Sequence, residues 1–402
     1  MGKTSDHEQT GQDERMKATN DSDTHDPHVY DMAIVGAGPI GLEIASVMKR
    51  AGVDYVHFEK GQIGASMMWW PRNTVFFSSP EWIAIAGVPI HTAGQEQITG
   101  ESYLAYLRTV VETLDLDVKT YEAVEDITGT DGDFTLSTRT IRGAADYKAR
   151  KVVLAVGDMA KPKHLGLEGE DLPHVTHYFT EPHAYFRNKL VIIGGKNSAL
   201  EAAIRSWRAG ADVTICYRRP QLEKNRTLSR LHLESTILIN RGKMTFYGET
   251  VPTRFTHEGV WVRHAPWHEP AESTESAGPA ESVGFTENTE EWLIPADFVL
   301  VATGFEPDER LYDTLGIELT GPRHRPVLDA DTLESSRHGI HVAGTATAGN
   351  QERYTTFITT CHDHGLRVLR HLRAQGLASE GDEPPVGNLP LRQFPLDPED
   401  IE

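Results

Sequence analysis

The sequence predicts an α/β fold built of two Rossmann-like domains, the second inserted into the first. Three observations carry that prediction. A hydrophobic strand runs into the glycine turn Gly36-Ala37-Gly38-Pro39-Ile40-Gly41, the same strand, turn and helix pattern returns at Gly194, and short β-branched runs alternate with helical patterns along the chain. Such alternation is the mark of parallel sheets.

Residues 1–28 are polar, carry no periodicity and offer no apolar face, so they read as a disordered tail. Strands are predicted at Asp31–Val35, Tyr55–Phe58, Lys151–Val156, Leu190–Ile193, Asp212–Tyr217, Asp297–Ala302 and Gly339–Ala343. Residues 29–160 and 304–378 are assigned to the first domain and 161–303 to the second. Within the second, 265–291 is rich in Pro, Ser, Glu, Thr and Gly and reads as a surface loop or hairpin insertion. Clustered acids and prolines make 379–402 a flexible C-terminal tail.

The first glycine turn has each part of a dinucleotide-binding fingerprint in order: strand, G-x-G-x-x-G, the helix Leu42–Arg50, and a second strand that ends in an acid. Gly36 allows the tight turn, Gly38 lets backbone approach a pyrophosphate at the positive helix end, and Gly41 allows close helix–strand packing. Pro39 and Ile40 lie inside the turn. Glu59 suits a ribose diol and repels a 2′-phosphate, and its place at the head of the domain favours FAD over NAD. Lys60, Phe77, Ser78, Val124, Ala155, Gly157, Gly344 and Thr345 are assigned to the same FAD site. Thr345 stands where such strands usually place an acid.

The second turn is degenerate. Gly194 and Ala199 fit the first and third glycine positions, with Gly195 beside them, but Lys196 fills the second, where its ammonium can meet a phosphate. Asn197 and Ser198 open the following helix. The next strand ends in Tyr217-Arg218-Arg219 where an NAD site carries an acid, and two guanidinium groups at that offset predict NADPH. Thr303 and Gly304 complete this site. Val153–Asp158 and Val299–Pro307 resemble the strands at the two domain crossovers of flavoproteins that pass a hydride from nicotinamide to flavin.

Two cysteines, Cys216 and Cys361, exclude a disulfide framework and a C-x-x-C relay. Cys216 reads as a buried small hydrophobe. Cys361 falls in a predicted helix Tyr354–Leu372 that begins beside the flavin; a core thiol is the first reading, a redox role the second, with His362 and His364 beside it. The sequence demands no metal.

These residues carry a narrower resemblance. From Asp31 to about Leu372 the chain resembles the YpdA family of flavoproteins, the bacillithiol disulfide reductases, on the Gly36–Gly41 turn, Phe76-Phe77-Ser78-Ser79-Pro80-Glu81, His177-Tyr178-Phe179 with His183, and Gly194-Gly195-Lys196-Asn197-Ser198. The resemblance implies FAD, NADPH and reduction of a low-molecular-weight thiol disulfide, and a homo-oligomer. Many members carry a cysteine just before the third fingerprint glycine, where this chain has Ile40. Direct electron transfer from reduced flavin to a bound disulfide is therefore ranked first, ahead of a substitute role for Cys361, and His177 or His183 is a candidate proton donor to the departing thiolate. Alternatives are a flavin monooxygenase, a ferredoxin or quinone reductase, and an FAD- and NADPH-binding redox sensor with little turnover.

Composition sets the outer limits. The 402 residues include 59 acidic and 39 basic side chains, a net charge of −20, which argues against nucleic acid or an anionic membrane as partner. No run approaches the ~20 apolar residues of a membrane helix, and the expectation is a cytoplasmic protein.

Overall fold

The computed structural model describes residues 25–267, 290–351 and 355–387. The first sheet draws on both ends of the chain. It is built from β1 (His25–Val35), β2 (Tyr55–Glu59), β3 (Lys119–Thr120), β4 (Ala123–Thr130), β5 (Asp133–Thr140), β6 (Gly143–Leu154) and, from far downstream, β19 (Ile340–Val342). The order is β3-β2-β1-β6-β5-β4, with β19 parallel to the end of β6. Alternation along β1 sends Met32 and Ile34 to one core and Ala33 and Val35 to another, so both faces are covered.

Helices α1 (Pro39–Arg50), α3 (Gly100–Leu114) and α7 (His364–Ala374) fill the first of those cores, and α2 (Pro80–Ile83) lies at its rim. Each has local causes. Proline at the first position of α1 has no hydrogen to leave unpaired, and Lys49 and Arg50 face the negative end of its dipole. Thr99 caps α3 by accepting from the Ser102 amide. α7 buries Leu366, Val368, Leu369 and Leu372.

The chain leaves the first sheet through β7 (Lys161–Pro162) and builds a second, fully parallel one. Its strands are β8 (Val175–Thr176), β9 (Lys189–Ile193), β10 (Asp212–Cys216), β11 (Thr245–Tyr247) and, after a small antiparallel sheet, β15 (Phe298–Val301); the order is β11-β10-β9-β15-β8. Helices α4 (Asn197–Arg208) and α5 (Ser229–Asn240) cover one face. The antiparallel sheet β12 (Thr250–Thr256), β13 (Gly259–His264) and β14 (Glu291–Pro295) covers the other, burying Val260 and Val262 against Val191 and Val299. The return strand β16 (Phe305–Glu306) then pairs antiparallel with β7, so outgoing and incoming crossovers form one ribbon. α6 (Arg310–Leu315) and the hairpin of β17 (Leu319–Thr320) and β18 (Arg325–Pro326) lead back to β19.

All seven expected strands are present, the first longer than expected: β1 begins at His25, so 25–28 belong to the sheet rather than to a tail, because β6 extends far enough to pair with them. Residues 1–24 lie outside the described residues. The 265–291 insertion joins two antiparallel neighbours and is shorter than expected, since Glu291 already belongs to β14 and the Ala265 amide is bonded to the Glu249 carbonyl; 268–289 lie outside the described residues.

Two further expectations are corrected. The single helix 354–372 is instead a turn of 3-10 helix, Ile358–Thr360, followed by α7, with Cys361 between them; 352–354 lie outside the described residues. The C-terminal segment is not free through 387. Gly387 donates its amide to Oε1 of Glu43 and its carbonyl accepts from Gly87, while Val386 is buried in the α1 core. A carboxylate left in an apolar helix face supplies the acceptor that holds it.

Candidate active site

The first glycine turn lies where β1 meets α1. A Cβ built on Gly36 lies 2.4 Å from the Ala155 carbonyl oxygen, and one on Gly41 lies 1.9 Å from that of Gly36. Both glycines are demanded by packing. A Cβ on Gly38 meets nothing within 4 Å. Gly38 is the N-cap of α1, followed by Pro39, and no side chain caps the helix. The bare amides of a helix N-terminus thus face open space across a residue with no side chain, which fits a pyrophosphate.

Glu59 closes the neighbouring strand. Its Oε2 accepts from the Ala37 amide and its Oε1 from Gly61, both at 2.8 Å, which fixes the carboxylate beside the turn with lone pairs left for a ribose diol. Lys60 faces outward, 3.8 Å from Asp308. Val124 enters β4 just after Glu122, whose amide bonds the Glu59 carbonyl. These features fit an adenosine diphosphate moiety.

The β19 end converges on the same place. A Cβ on Gly344 would sit 3.3 Å from that of Ile40, so the side chain at the position where the resemblance implies a cysteine is packed on the Gly344 turn. The Gly344 amide donates to Nδ1 of His364 at 3.0 Å. That imidazole must be neutral to accept, and burial lowers it to about 4. Thr345, standing in for the usual acid, lies beside one: its hydroxyl hydrogen-bonds Asp158, which also accepts from Nε2 of Gln351 at 2.9 Å. Burial raises the Asp158 carboxyl, against those two bonds. Gln351 turns its other end to the Thr355 and Thr356 amides, each within 3.0 Å. The sequence places Asp158 after the crossover glycine Gly157 but does not reveal that it faces Thr345.

The aromatic pairs divide their work. Phe76 is buried against Trp70 and Tyr103, whereas Phe77 is exposed and meets Phe357 edge-on at 5.3 Å. Trp69 stacks on Phe305 of β16 at 4.3 Å and touches Tyr178, bridging the first unit to the crossover and the second. Ser78 precedes Ser79, the N-cap of α2, whose side chain makes no cap bond.

In the second unit a Cβ on Gly194 would strike the Ala302 carbonyl at 2.4 Å, repeating the Gly36 arrangement, and Gly195 lies flat against the Tyr217 ring. Lys196 is the N-cap of α4 without a side-chain cap, followed by Asn197 and Ser198. Asn197 Oδ1 accepts from the Leu228 amide at 2.8 Å, so its side chain fixes the start of α5. Arg218 and Arg219 differ. Arg219 is buried, paired to Glu223 at 2.6 Å, and its guanidinium lies 4.3 Å from the Trp267 ring centroid; Arg218 is exposed at 5.4 Å from the same ring. Trp267, overlooked inside the polar insertion, joins Arg219, Pro220, Gln221 and Glu223 in lining a cavity. Thr303 donates to the Lys163 carbonyl, and the Gly304 carbonyl accepts from the Lys163 amide, knitting the crossovers together. An uncapped helix end beside exposed Arg218 fits an NADPH phosphate.

The candidate catalytic side chains are less favourably placed. Cys361 is fully buried in the core with Ile40, and burial pushes its thiol up to about 12, so thiolate is scarce at neutral pH. His177 is tied through Nε2 to Glu170 at 2.9 Å, and Glu170 also accepts from the amides of Leu165, Gly166 and Leu167. His183 is exposed in a 3-10 turn, stacked on Phe186.

Two glycine-turn nucleotide folds, one fitting FAD and the other NADPH, joined by paired crossovers, define a two-dinucleotide flavin reductase. The chain belongs to the pyridine nucleotide-disulphide oxidoreductase family, whose model matches residues 33–344. It is an oxidoreductase with FAD and NADPH as cofactors. It is similar to the bacilliredoxin reductase Bdr of Bacillus subtilis, 30% identical over 84% of this chain and 96% of that protein. Among solved structures it resembles the bacillithiol disulfide reductase Bdr (YpdA) of Bacillus cereus, with TM-score 0.77, 27% identity and coverage of 87% of this chain and 100% of the other. The bacillithiol disulfide reductase Bdr (YpdA) of Staphylococcus aureus gives TM-score 0.75 and 29% identity, covering 87% of this chain and 99% of the other. No helix among the described residues is long and apolar enough to cross a membrane.

Proposed function

We propose that the chain reduces a low-molecular-weight disulfide of the bacillithiol type with NADPH, giving NADP⁺ and two thiols per NADPH and taking one further proton from solvent. The observation that carries this reading is the state of the cysteines. Both are free and buried, Cys361 in the α1 core and Cys216 in the core beneath β10, so the protein has no dithiol to relay electrons. A disulfide small enough to reach the flavin directly suits such a site, and the names of the Bacillus and Staphylococcus relatives support that class.

Bound FAD supplies the two-electron carrier between nicotinamide and disulfide. The chain does the rest. In this reading the α1 amides and Glu59 hold its pyrophosphate and ribose, Asp158 with Thr345 replaces the usual single acid, and Ile40 with Phe77 excludes water from the ring. Lys196, Ser198 and Arg218 hold the NADPH phosphates. Neither Cys361 nor His177 nor His183 carries a step. The enzyme acts as a homo-oligomer in the cytoplasm.

The test is anaerobic NADPH oxidation by the FAD-loaded protein with bacillithiol disulfide, and glutathione disulfide beside it, counting thiols. Two thiols per NADPH with bacillithiol preferred, and turnover kept in Cys361→Ser, are expected. Rapid flavin reduction without thiol release would defeat the reading in favour of another acceptor or a sensor.

A further inference from the structure

Three residues with no metal-ligand spacing in the sequence meet behind the first sheet: Glu334, His341 on β19 and His371 on α7. One potential ligand atom from each lies within 4.8 Å of the other two. Glu334 and His341 face each other across an antiparallel bridge, and the two imidazoles meet edge-on with centroids 5.1 Å apart.

Their hydrogen bonding leaves a specific gap. His341 is fully buried. Its Nδ1 lies 3.0 Å from the Thr332 carbonyl, which can only accept, so Nδ1 carries the proton and Nε2 a lone pair. Among the described residues that Nε2 has no hydrogen-bond partner, and neither does the buried Nδ1 of His371, whose Nε2 lies 2.8 Å from the end of the Gln375 side-chain amide; with that amide's oxygen turned to accept from Nε2–H, Nδ1 of His371 keeps a lone pair. Glu334 is held by the Gly339 amide at 2.8 Å through Oε1, and its Oε2 has only a long contact of 3.4 Å to Nδ1 of the exposed His338, which a cation can displace. Nearby Lys151 has its charge met by Asp131 at 2.6 Å. Two buried imidazole nitrogens without a partner, on rings 5.1 Å apart, cost stability unless a ligand satisfies them.

We propose that Glu334, His341 and His371 form a binding site for a zinc-class divalent cation, with two imidazole nitrogens and one carboxylate oxygen as ligands and water in the fourth position. The donor set excludes magnesium and calcium, which take oxygen. The Thr332 carbonyl orients His341, as outer-shell acceptors do in zinc sites. A second cluster, His164, Glu170 and His177, lacks this gap: Glu170 is spent on three amides and His177, and His164 is 63% exposed. Bound metal would fasten the strand that carries the Gly344 turn to the end of the helix whose first residue, His364, holds that turn.

The test uses the full FAD-loaded chain, stripped with a chelator and desalted, and Zn²⁺ alone as probe in competition with a chromophoric chelator, followed by melting. One Zn²⁺ per chain and a higher melting temperature are expected in wild type and in His164→Ala. In Glu334→Gln and His371→Gln the affinity falls at least about tenfold and the melting shift disappears. Wild type lacking stoichiometric Zn²⁺ binding would overturn the proposal, as would binding lost in His164→Ala but kept in both other variants. His341 is left intact because a buried strand residue risks the fold.

Discussion

Nδ1 of His362 lies 2.9 Å from Oε2 of Glu43, two buried groups 319 residues apart in the chain. The other oxygen of Glu43 accepts from the amides of Ala86 and Gly387, and Nε2 of His362 bonds the Trp82 carbonyl. One helix carboxylate thus holds the α2 region, the turn before α7 and the C-terminal segment together. Burial disfavours the charged imidazole, but the hydrogen bond and charge of Glu43 outweigh it, and the His362 pKa is raised. Its stabilisation is complete below the unfolded value near 6.5 and is lost as pH rises through the folded value. Glu43→Ala should cost about 3–5 kcal/mol by breaking a buried pair, measured by urea unfolding at pH 6, with a smaller loss at pH 9. An equal loss at both would remove the charged imidazole from the account.

Acid should act through other histidines. His57, bonded through Nε2 to the Gly36 carbonyl at 2.9 Å, and His364, which accepts from Gly344, are each lowered to about 4 by burial. A histidine lowered on folding gives stability that is present above 6.5 and lost as pH falls towards 4. Each contributes up to about 1.4 kcal/mol per pH unit in that window. His364→Gln should flatten the pH dependence of unfolding by about that slope; an unchanged slope would reject the assignment. Flavin release should follow the same window in wild type, because protonated His364 can no longer accept from the Gly344 turn.

The fingerprint glycines should separate into two kinds. Gly41→Ala places a methyl within 1.9 Å of a carbonyl oxygen and should destabilise the apoprotein by several kcal/mol, whereas Gly38→Ala enters open space. The expected outcome for Gly38→Ala is an unchanged apoprotein melting temperature with flavin content sharply reduced. Full flavin retention would show that the cradle lies elsewhere.

Arg218 and Arg219 should fail differently. If, as proposed, Arg218 holds the 2′-phosphate, Arg218→Ala removes a partner worth about 1.5–3 kcal/mol, so the KM for NADPH should rise on the order of tenfold or more while NADH is unaffected. Arg219→Ala breaks the Glu223 pair and the Trp267 contact, and should lower the melting temperature as well. Identical profiles for the two would mean that both face the nucleotide.

The sequence showed the strands, the two turns and the FAD and NADPH assignments because those features are local: periodicity and glycine spacing are written in consecutive residues. What it did not show depends on distant partners. Thr345 reads as a lost acid until Asp158, from the opposite crossover, is found against it. Arg218 and Arg219 read alike until Glu223 and Trp267 claim one of them. Glu43 sits among Leu42, Ile44 and Ala45 in an apolar helix, a signal for a buried carboxylate, yet nothing local identifies Gly387 as its partner. Cys361 and His362 are adjacent in sequence, but the break between Ile358–Thr360 and α7 decides that one is a core thiol and the other a structural base.

The paired crossovers β7 and β16 also set an order for synthesis. When residue 303 has left the ribosome, each strand of the second sheet exists and that unit can fold, since domains fold as units during translation. The first sheet then still lacks β19, and α1 still lacks α7 and the Gly387 clasp. The half of the protein that begins the chain is therefore the last to be completed, and the nascent flavin cradle waits, open on one side, for the final hundred residues or so.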